Sequence, residues 1–281
     1  MRLKFTGKKK EIENVYTFTF EPGKKISWQP GQYLHYELPH PDADDRGVER
    51  WFTISAPPSE KHPTITTRFD TEHSSTFKKA LQKLEPGTEV EAGEPRGDFL
   101  LEPDASRHVL IAGGIGVTPY HSMLLQLDRD GKPLNIDLLY ANRDQNFVFG
   151  DEFQKLAVSH PELKIHKFIG GHRISKSDLK KYLNIEQRGT QTDGVPGAGE
   201  QRIKAYVKYD EVAAQPATQQ SAGSSSGATS LAGGQAAAVR DPVFYVSGPR
   251  PMVEAYQHLL EDLGVSPERV KTDYFPGYKL G

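Results

Sequence analysis

The stretch Leu110-Ile111-Ala112-Gly113-Gly114-Ile115-Gly116-Val117-Thr118-Pro119 decides how this chain is read. An apolar run is broken by three glycines, and Pro119 then suits the first turn of a helix, where a missing N–H costs nothing. The sequence therefore predicts a buried strand, a tight turn and a helix start. Glycines let a backbone approach a diphosphate closely, and a helix start offers free N–H groups at the positive end of its dipole. Taken alone, such a turn reads equally well as a tight strand-to-helix connection. Its spacing also lacks the G-x-G-x-x-G of the standard dinucleotide fingerprint.

Working outward toward the C-terminus, strands and helices alternate. Strands are expected at His108–Ala112, Ile136–Tyr140, Leu163–Ile169, Val243–Val246 and Val270–Phe275. Helices are expected from Thr118-Pro119, at Asp151–Val158, at Lys176–Leu183 and at Pro251–Leu263. That alternation means βαβ units and a parallel sheet. Toward the N-terminus the period changes to two: Tyr16, Phe18 and Phe20 alternate with Thr17 and Thr19, and Leu34, Tyr36 and Leu38 repeat the pattern. Further short runs at Trp51–Ser55, Thr64–Phe69 and Thr88–Glu91 are separated by Pro and Gly turns, with one helix at about Thr76–Leu84. These features predict an antiparallel β-barrel or sandwich over residues 1–103 and a parallel α/β domain over 104–281. From about Glu186 to Arg240 the composition shifts, and Ala213–Ala238 is nearly all Ala, Gln, Ser, Gly and Thr. This stretch reads as a flexible low-complexity insertion, with a small ordered patch at Ile203–Val207.

Composition narrows the chemistry. The 281 residues contain no Cys, which excludes disulfides, thiolate zinc sites, a Cys nucleophile and a Cys-ligated iron–sulfur cluster in this chain. Lys and Arg number 35 against 37 Asp and Glu, so no general basic field exists to hold a nucleic-acid backbone. No window approaches the roughly 18 apolar residues a membrane helix needs. The opening residues are basic without an apolar stretch behind them, so a cytoplasmic location is expected. Nothing in the sequence suggests a metal site.

Two further stretches add weight to the glycine turn. Arg50-Trp51-Phe52-Thr53-Ile54-Ser55 follows an acidic loop. An Arg beside an aromatic ring and a hydroxyl suits a phosphate and a planar ligand, although a surface Arg and a core Phe are the commoner fates. Ser247-Gly248-Pro249-Arg250-Pro251-Met252 repeats the logic of strand, tight turn and helix start.

In order and spacing these stretches resemble the ferredoxin–NADP reductase family of flavoproteins, over nearly the whole chain except the insertion. The family's Arg-x-Tyr-Ser stands here as Arg50-Trp51-Phe52-Thr53, and its Gly-Gly-x-Gly-x-Thr-Pro is intact at Gly113–Pro119. Its Cys-Gly-Pro-x-x-Met stands as Ser247–Met252, and its C-terminal acidic-x-aromatic as Asp273-Tyr274-Phe275. The resemblance implies a barrel that holds FAD, FMN being the less favoured flavin, and an α/β domain that takes NADPH or NADH. It places Arg50 on the flavin pyrophosphate, with Trp51 beside it, Phe52 against the isoalloxazine and Thr53 on the ring's polar edge. It has Thr66, Thr67 and Arg68 line the cofactor, and Ser75, Thr76, Phe77 and Lys78 offer the helix start and a charge to the phosphates, where Ser75 and Thr76 also read as ordinary caps. His73 replaces a family glycine there. Gly113, Gly114, Gly116, Thr118, Pro119, Gly248, Pro249 and Met252 would form the nicotinamide nucleotide site, and Arg143 would reach a 2′-phosphate with help from His172, Arg173 and Lys176. Thr118, Ser247, Asp273 and Phe275 would stand at the reacting end. The implied reaction passes hydride from NAD(P)H to flavin and single electrons to a separate carrier such as ferredoxin or flavodoxin, with Lys8-Lys9-Lys10 a candidate docking rim. A reductase component feeding an oxygenase or membrane partner, and a cofactor-binding regulatory module without turnover, are the alternatives.

Overall fold

The structure is a computed structural model that describes residues 1–70, 72, 74–170, 173–183 and 242–275. The expected insertion at 186–240 with its Ile203–Val207 patch lies outside the described residues, as do His73 and His172.

Six strands form the N-terminal sheet: β1 (Arg2–Ile12), β2 (Val15–Pro22), β3 (Tyr33–Glu37), β4 (Glu49–Thr53), β5 (Thr64–Arg68) and β6 (Glu89–Ala92). Their order is β4-β3-β6-β1-β2-β5, with every pairing antiparallel. The sheet curls until its edges meet just past β4, where the Ser55 N–H donates to the Thr64 carbonyl at 3.1 Å. A hydroxyl chain continues the seam, with Ser55 Oγ 2.7 Å from both Thr64 Oγ1 and Thr66 Oγ1, and Thr66 Oγ1 2.8 Å from Thr17 Oγ1. Closure removes the exposed edges, and the hydroxyls satisfy one another where no water reaches. Inside, Phe5, Phe18, Phe20 and Tyr36 pack with centroids 5.6–5.9 Å apart. Helix α1 (Thr76–Gln82) closes one end by inserting Phe77 and Leu81.

Strand β1 is longer than any strand the periodicity predicts. Only Leu3 and Phe5 alternate cleanly before a register shift near Gly7, and Lys8, Lys9 and Lys10 all face solvent. Pairing with β2 on one side and β6 on the other holds it in place.

The second sheet is parallel, in the order β11-β10-β7-β8-β9. It comprises β7 (His108–Gly113), β8 (Ile136–Asn142), β9 (Lys164–Ile169), β10 (Val243–Pro249) and β11 (Val270–Phe275). Helices α2 (Thr118–Arg129), α3 (Gly150–Ser159), α4 (Lys176–Lys180) and α5 (Arg250–Glu261) accompany it. Val109, Leu110, Ile111 and Ala112 are fully buried because both faces of β7 are covered. Leu110 and Ala112 pack with Tyr120, Leu124 and Phe153, whereas Val109 and Ile111 pack with Leu179, Tyr256 and Leu260 on the other face.

Polar contacts join the two halves, among them those of three side chains on the second domain. His121 on α2 lies with Nδ1 2.6 Å from the Ser55 carbonyl and Nε2 2.7 Å from Glu152 Oε2, its ring stacked on Phe149. Ser122 Oγ donates to the Ala56 carbonyl at 2.8 Å, and the Tyr245 hydroxyl donates to the Leu100 carbonyl while accepting from the Glu102 N–H. Among the described residues no helix is long and apolar enough to cross a membrane.

Candidate functional site

The chain runs from β7 to β8 to β9 in one direction, then returns to place β10 on the other side of β7. The crevice beyond the C-terminal ends of β7 and β10 is therefore the switch point, where open α/β sheets bind ligands. The Gly113–Gly116 turn and Ser247-Gly248-Pro249 sit there, on adjacent strands.

Glycine is required at these positions by close backbone packing. A Cβ on Gly116 would lie within contact of the Ser247 carbonyl group, 2.6 Å from its carbon and 2.7 Å from Gly248 Cα. A Cβ on Gly113 would overlap Met252, whose methyl would stand 3.0 Å away. Gly114 differs: its φ of +53° is left-handed, and a Cβ there would meet nothing closer than Asn142 Oδ1 at 3.9 Å. One glycine thus faces open space while its neighbours lock two strand ends together. The Tyr140 hydroxyl donates to the Gly114 carbonyl at 3.0 Å and fixes the turn from below.

Behind this turn lie Thr118, which is buried, and Ser247, which is fully buried. Ser247 Oγ is 3.4 Å from Asp273 Oδ2, the donor end of a long hydrogen bond between register partners on β10 and β11. Burial pushes the Asp273 carboxyl up to about 6, against the hydrogen bond from Ser247. A carboxyl so placed changes protonation just below neutral pH. Phe275 ends β11 in register with Pro249. Arg143 stands exposed just past β8, one strand from the crevice.

The barrel meets the crevice through β5, which packs against the Gly114–Val117 turn. Arg68 at the end of β5 is near enough to Tyr140 to favour its phenolate, although burial dominates and holds that hydroxyl well above its ordinary range. Thr66 and Thr67 are buried, Thr66 in the hydroxyl chain, so of this trio Arg68 is the side chain with exposed surface.

On β4, alternation places Arg50 and Phe52 on one face and Trp51 on the other. Phe52 lies 5.8 Å from Phe77 and 6.0 Å from Tyr36, and the Arg50 guanidinium sits 5.5 Å above the Phe77 ring. The structure sets two residues of the expected grouping apart from Arg50 and Phe52. Trp51 is 54% exposed and its ring lies tilted beside His35 at 4.7 Å, on the face of β4 opposite Arg50 and Phe52. Phe77 has no exposed surface, and its ring supports Arg50 and Phe52 from beneath. Thr53 is buried beside them. Ser75 caps α1, accepting from the Lys78 N–H, and Lys78 Nζ donates to the Arg68 carbonyl at 2.9 Å.

The loop before β4 supplies residues that no motif marked. Asp44 Oδ1 accepts from Arg50 Nη2 at 2.9 Å and Oδ2 from the Thr76 N–H at 3.2 Å. The Asp44 N–H in turn donates to Thr76 Oγ1 at 3.0 Å, and His40 Nε2 stands 3.0 Å from the same oxygen. Burial pushes the Asp44 carboxyl up, but hydrogen bonds from Arg46 and the Thr76 N–H outweigh it and hold the group at about 2. A carboxylate with these partners is a stand-in anion: the donors of Arg50 and Thr76 converge on one negatively charged group and fit a phosphate oxygen in kind. In the sequence, the acidic run before Arg50 was the available signal, and nothing in it marked Asp44 from its neighbours.

A closed antiparallel barrel beside a parallel sheet with a glycine-lined switch point is the arrangement that the sequence led us to expect. Residues 110–193 match the oxidoreductase NAD-binding domain family. The chain is 30% identical over 171 residues to ferredoxin–NADP reductase B of Sorangium cellulosum, covering 59% of this chain and 68% of that one. It therefore belongs to the ferredoxin–NADP reductase-like family of flavoprotein oxidoreductases, which use FAD and NAD(P)H. A flavohemoprotein of Rhodopirellula baltica is 26% identical over 282 residues, 96% of this chain and 59% of its own length. The chain thus spans about three fifths of that relative. Among solved structures, the flavohem-like FAD/NAD-binding domain of nitric oxide dioxygenase from Vibrio cholerae superposes with a TM-score of 0.64 at 18% identity over 98% of both chains.

Proposed function

We propose that this chain is an NAD(P)H-dependent reductase, divided near Glu102-Pro103, that passes electrons one at a time to a separate carrier, and that it works in the cytoplasm. The observation that supports it is the contact of β5 with the Gly114–Val117 turn, with Lys78 of α1 bonded to the carbonyl of Arg68 at the end of β5. Arg50, Thr76 and the capped start of α1 would hold the FAD diphosphate, with Lys78 adding charge. Phe52, braced by Phe77, would carry the ring system, and Thr53 and Arg68 would face its polar parts. Bound FAD supplies the hydride acceptance and single-electron release that the chain's own side chains lack.

In this reading the chain's task is alignment. Gly113, Gly114 and Gly116 let the nicotinamide nucleotide approach the backbone, and Thr118, Pro119, Gly248, Pro249 and Met252 shape its seat. Fixing the nucleotide there replaces a bimolecular encounter by a positioned one. Ser247 and Asp273 would hold a proton between them, and Phe275 would be the residue to cover the flavin until nucleotide arrives. Arg143 recognises a 2′-phosphate, which favours NADPH. Ferredoxin or flavodoxin suits the carrier role. A haem-bearing partner is the second reading, favoured because the flavohemoprotein relative extends well beyond the part this chain matches.

The test is anaerobic mixing of the FAD-loaded protein with NADPH or NADH, followed by a panel of ferredoxin, flavodoxin and haem proteins. Bleaching of the flavin absorbance faster with NADPH, and reoxidation by one carrier class, is the expected result. A yellow protein that neither nucleotide bleaches would be a binding module.

A further inference from the structure

We propose that Asp44 is the chain's own occupant of the phosphate seat, a carboxylate that a flavin diphosphate must displace, and that it thereby sets how tightly flavin is held. This rests on the reading of Arg50 as the flavin's phosphate partner.

Arg50 Nη2 is bound to Asp44 Oδ1 at 2.9 Å, and Nη1 points at the carbonyls of Arg46 at 2.8 Å, Gly47 at 3.1 Å and Glu49. The Thr76 N–H is bound to Asp44 Oδ2. The Arg46 N–H reaches Oδ1 at 3.1 Å and its Nη2 reaches Oδ2 at 3.2 Å. One carboxylate thus gathers donors from Arg50, Thr76 and Arg46. A phosphate that takes the Arg50 and Thr76 donors must remove Asp44 from them, because a second anion at the same donors would meet like charge at close range.

The loop is built so that its tip can leave while its base stays. Leu38 N–H to the Val48 carbonyl, at 2.9 Å, closes the base beside β3 and β4. The tip is turned by the Gly47 N–H to the Asp44 carbonyl at 2.8 Å and carries Asp42 at φ +56° and Gly47 at φ +67°, with open space around Gly47. The Asp44 N–H to Thr76 Oγ1 and the Arg46 and Gly47 carbonyls on Arg50 tie it to the seat and must loosen as it leaves. Asp42, Asp45 and Arg46 are exposed. Arg46 is two residues from Asp44 and travels with it, so the displaced carboxylate keeps a cation. The exchange swaps one ion pair for another, and its net cost is subtracted from flavin binding.

The experiment titrates FAD, FMN and riboflavin into the full chain freed of flavin, reading flavin fluorescence, for the parent, Asp44→Asn, Asp44→Ala, Arg50→Ala and the Asp44→Asn/Arg50→Ala pair. Circular dichroism confirms that each variant is folded. Asp44→Asn should tighten FAD about two- to fivefold, the range expected for freeing a partly exposed ion pair, and leave riboflavin unchanged. Asp44→Ala, which also removes the cap on Thr76, should move FAD in the same direction. In the Arg50→Ala background the Asp44→Asn gain should largely vanish. Unchanged or weaker FAD binding in both Asp44 variants, with Arg50→Ala still weakening FAD, would overturn the proposal and leave Arg50 as the phosphate partner. Equal binding of FAD and riboflavin, unaffected by Arg50→Ala, would instead remove the phosphate reading and this proposal with it.

Discussion

The crevice at β7 and β10 and the Asp44 cluster between β4 and α1 are built from different materials. The crevice is made of backbone: Gly116 lies against the Ser247 carbonyl and Gly113 against Met252, with no charged side chain holding them. The seat is made of charge: Arg50, Arg46 and the Thr76 N–H converge on Asp44. A backbone site is complete once the chain has folded, and each atom added to it is a steric error. A charged site can be filled, emptied or exchanged without disturbing the fold. The difference predicts that mutations in the crevice act mainly on stability and those in the seat mainly on ligand affinity.

The largest effect should come from Gly116→Val. Its Cβ would meet main-chain atoms of Ser247 and Gly248, which cannot move without shifting β10. Overpacking of this kind usually costs about 1–3 kcal/mol, and rigid backbone on the other side puts this case at the upper end or beyond. Urea unfolding should show a loss of about 3 kcal/mol or more. A loss below about 1 kcal/mol would mean that the two strand ends are loosely joined, and the contrast with the seat would fail.

Second comes a titration within the crevice. The Asp273 carboxyl is raised from 3.8 to about 6 by burial, so between those values the unfolded chain has lost its proton while the folded chain keeps it. The stabilising contribution is whole below about pH 4 and is lost as pH rises through about 6. The shift of roughly two units corresponds to about 3 kcal/mol. Stability of the parent relative to Asp273→Asn, measured by urea unfolding from pH 4 to pH 7, should fall by about that amount and then level off. A flat difference would place Asp273 in water. Since the pair with Ser247 spans β10 and β11, such a result would also detach Ser247 from any proton relay.

Much of the crevice was legible in the sequence, and the reason is physical. Backbone packing leaves its mark as residue type, since only glycine fits Gly113 and Gly116 and Pro119 marks a helix start; a linear text can carry that information. The sheet was legible for the same reason, because Val109–Ala112 is apolar on both faces. The seat was legible only in half. Arg50 and Phe52 could be placed on one face by alternation, but the identity of Arg50's partner depends on how an exposed loop returns to α1, and Asp42, Asp44 and Asp45 are chemically alike in sequence. Trp51 was grouped with Arg50 because it adjoins it, although adjacency along a strand means opposite faces. Strand β1 was missed because three exposed lysines hid the two-residue period that Leu3 and Phe5 begin. His121 left no local signature at all, since its partners Ser55 and Glu152 lie far away in the chain.

Third in size is Arg50→Ala, read as stability. The Arg50 side chain is 15% exposed, and its loss leaves Asp44 still bound by Arg46 and Thr76. Lost hydrogen bonds to a charged group argue for about 1.5–3 kcal/mol, and the surviving partners of Asp44 place the result near the lower end. If thermal unfolding shows Arg50→Ala to be as damaging as Gly116→Val, the seat is structural and the division between backbone and charge is wrong.

The smallest effect should be Gly114→Ala, and it separates the two materials within a single turn. Gly114 has the left-handed φ of +53° but no atom within 3.9 Å of a Cβ, so the substitution costs only conformational strain, about 1 kcal/mol. Its stability loss should be about a third of that for Gly116→Val although the two positions are two residues apart. The new methyl would project into the open side of the turn, where the proposed nucleotide approaches the backbone. The Michaelis constant for NADPH should therefore rise while the urea midpoint falls only by the amount that this strain accounts for. A variant that loses stability without any change in that constant would show that the nucleotide does not come near Gly114. It would then have to bind elsewhere along the crevice, nearer Gly248 and Pro249.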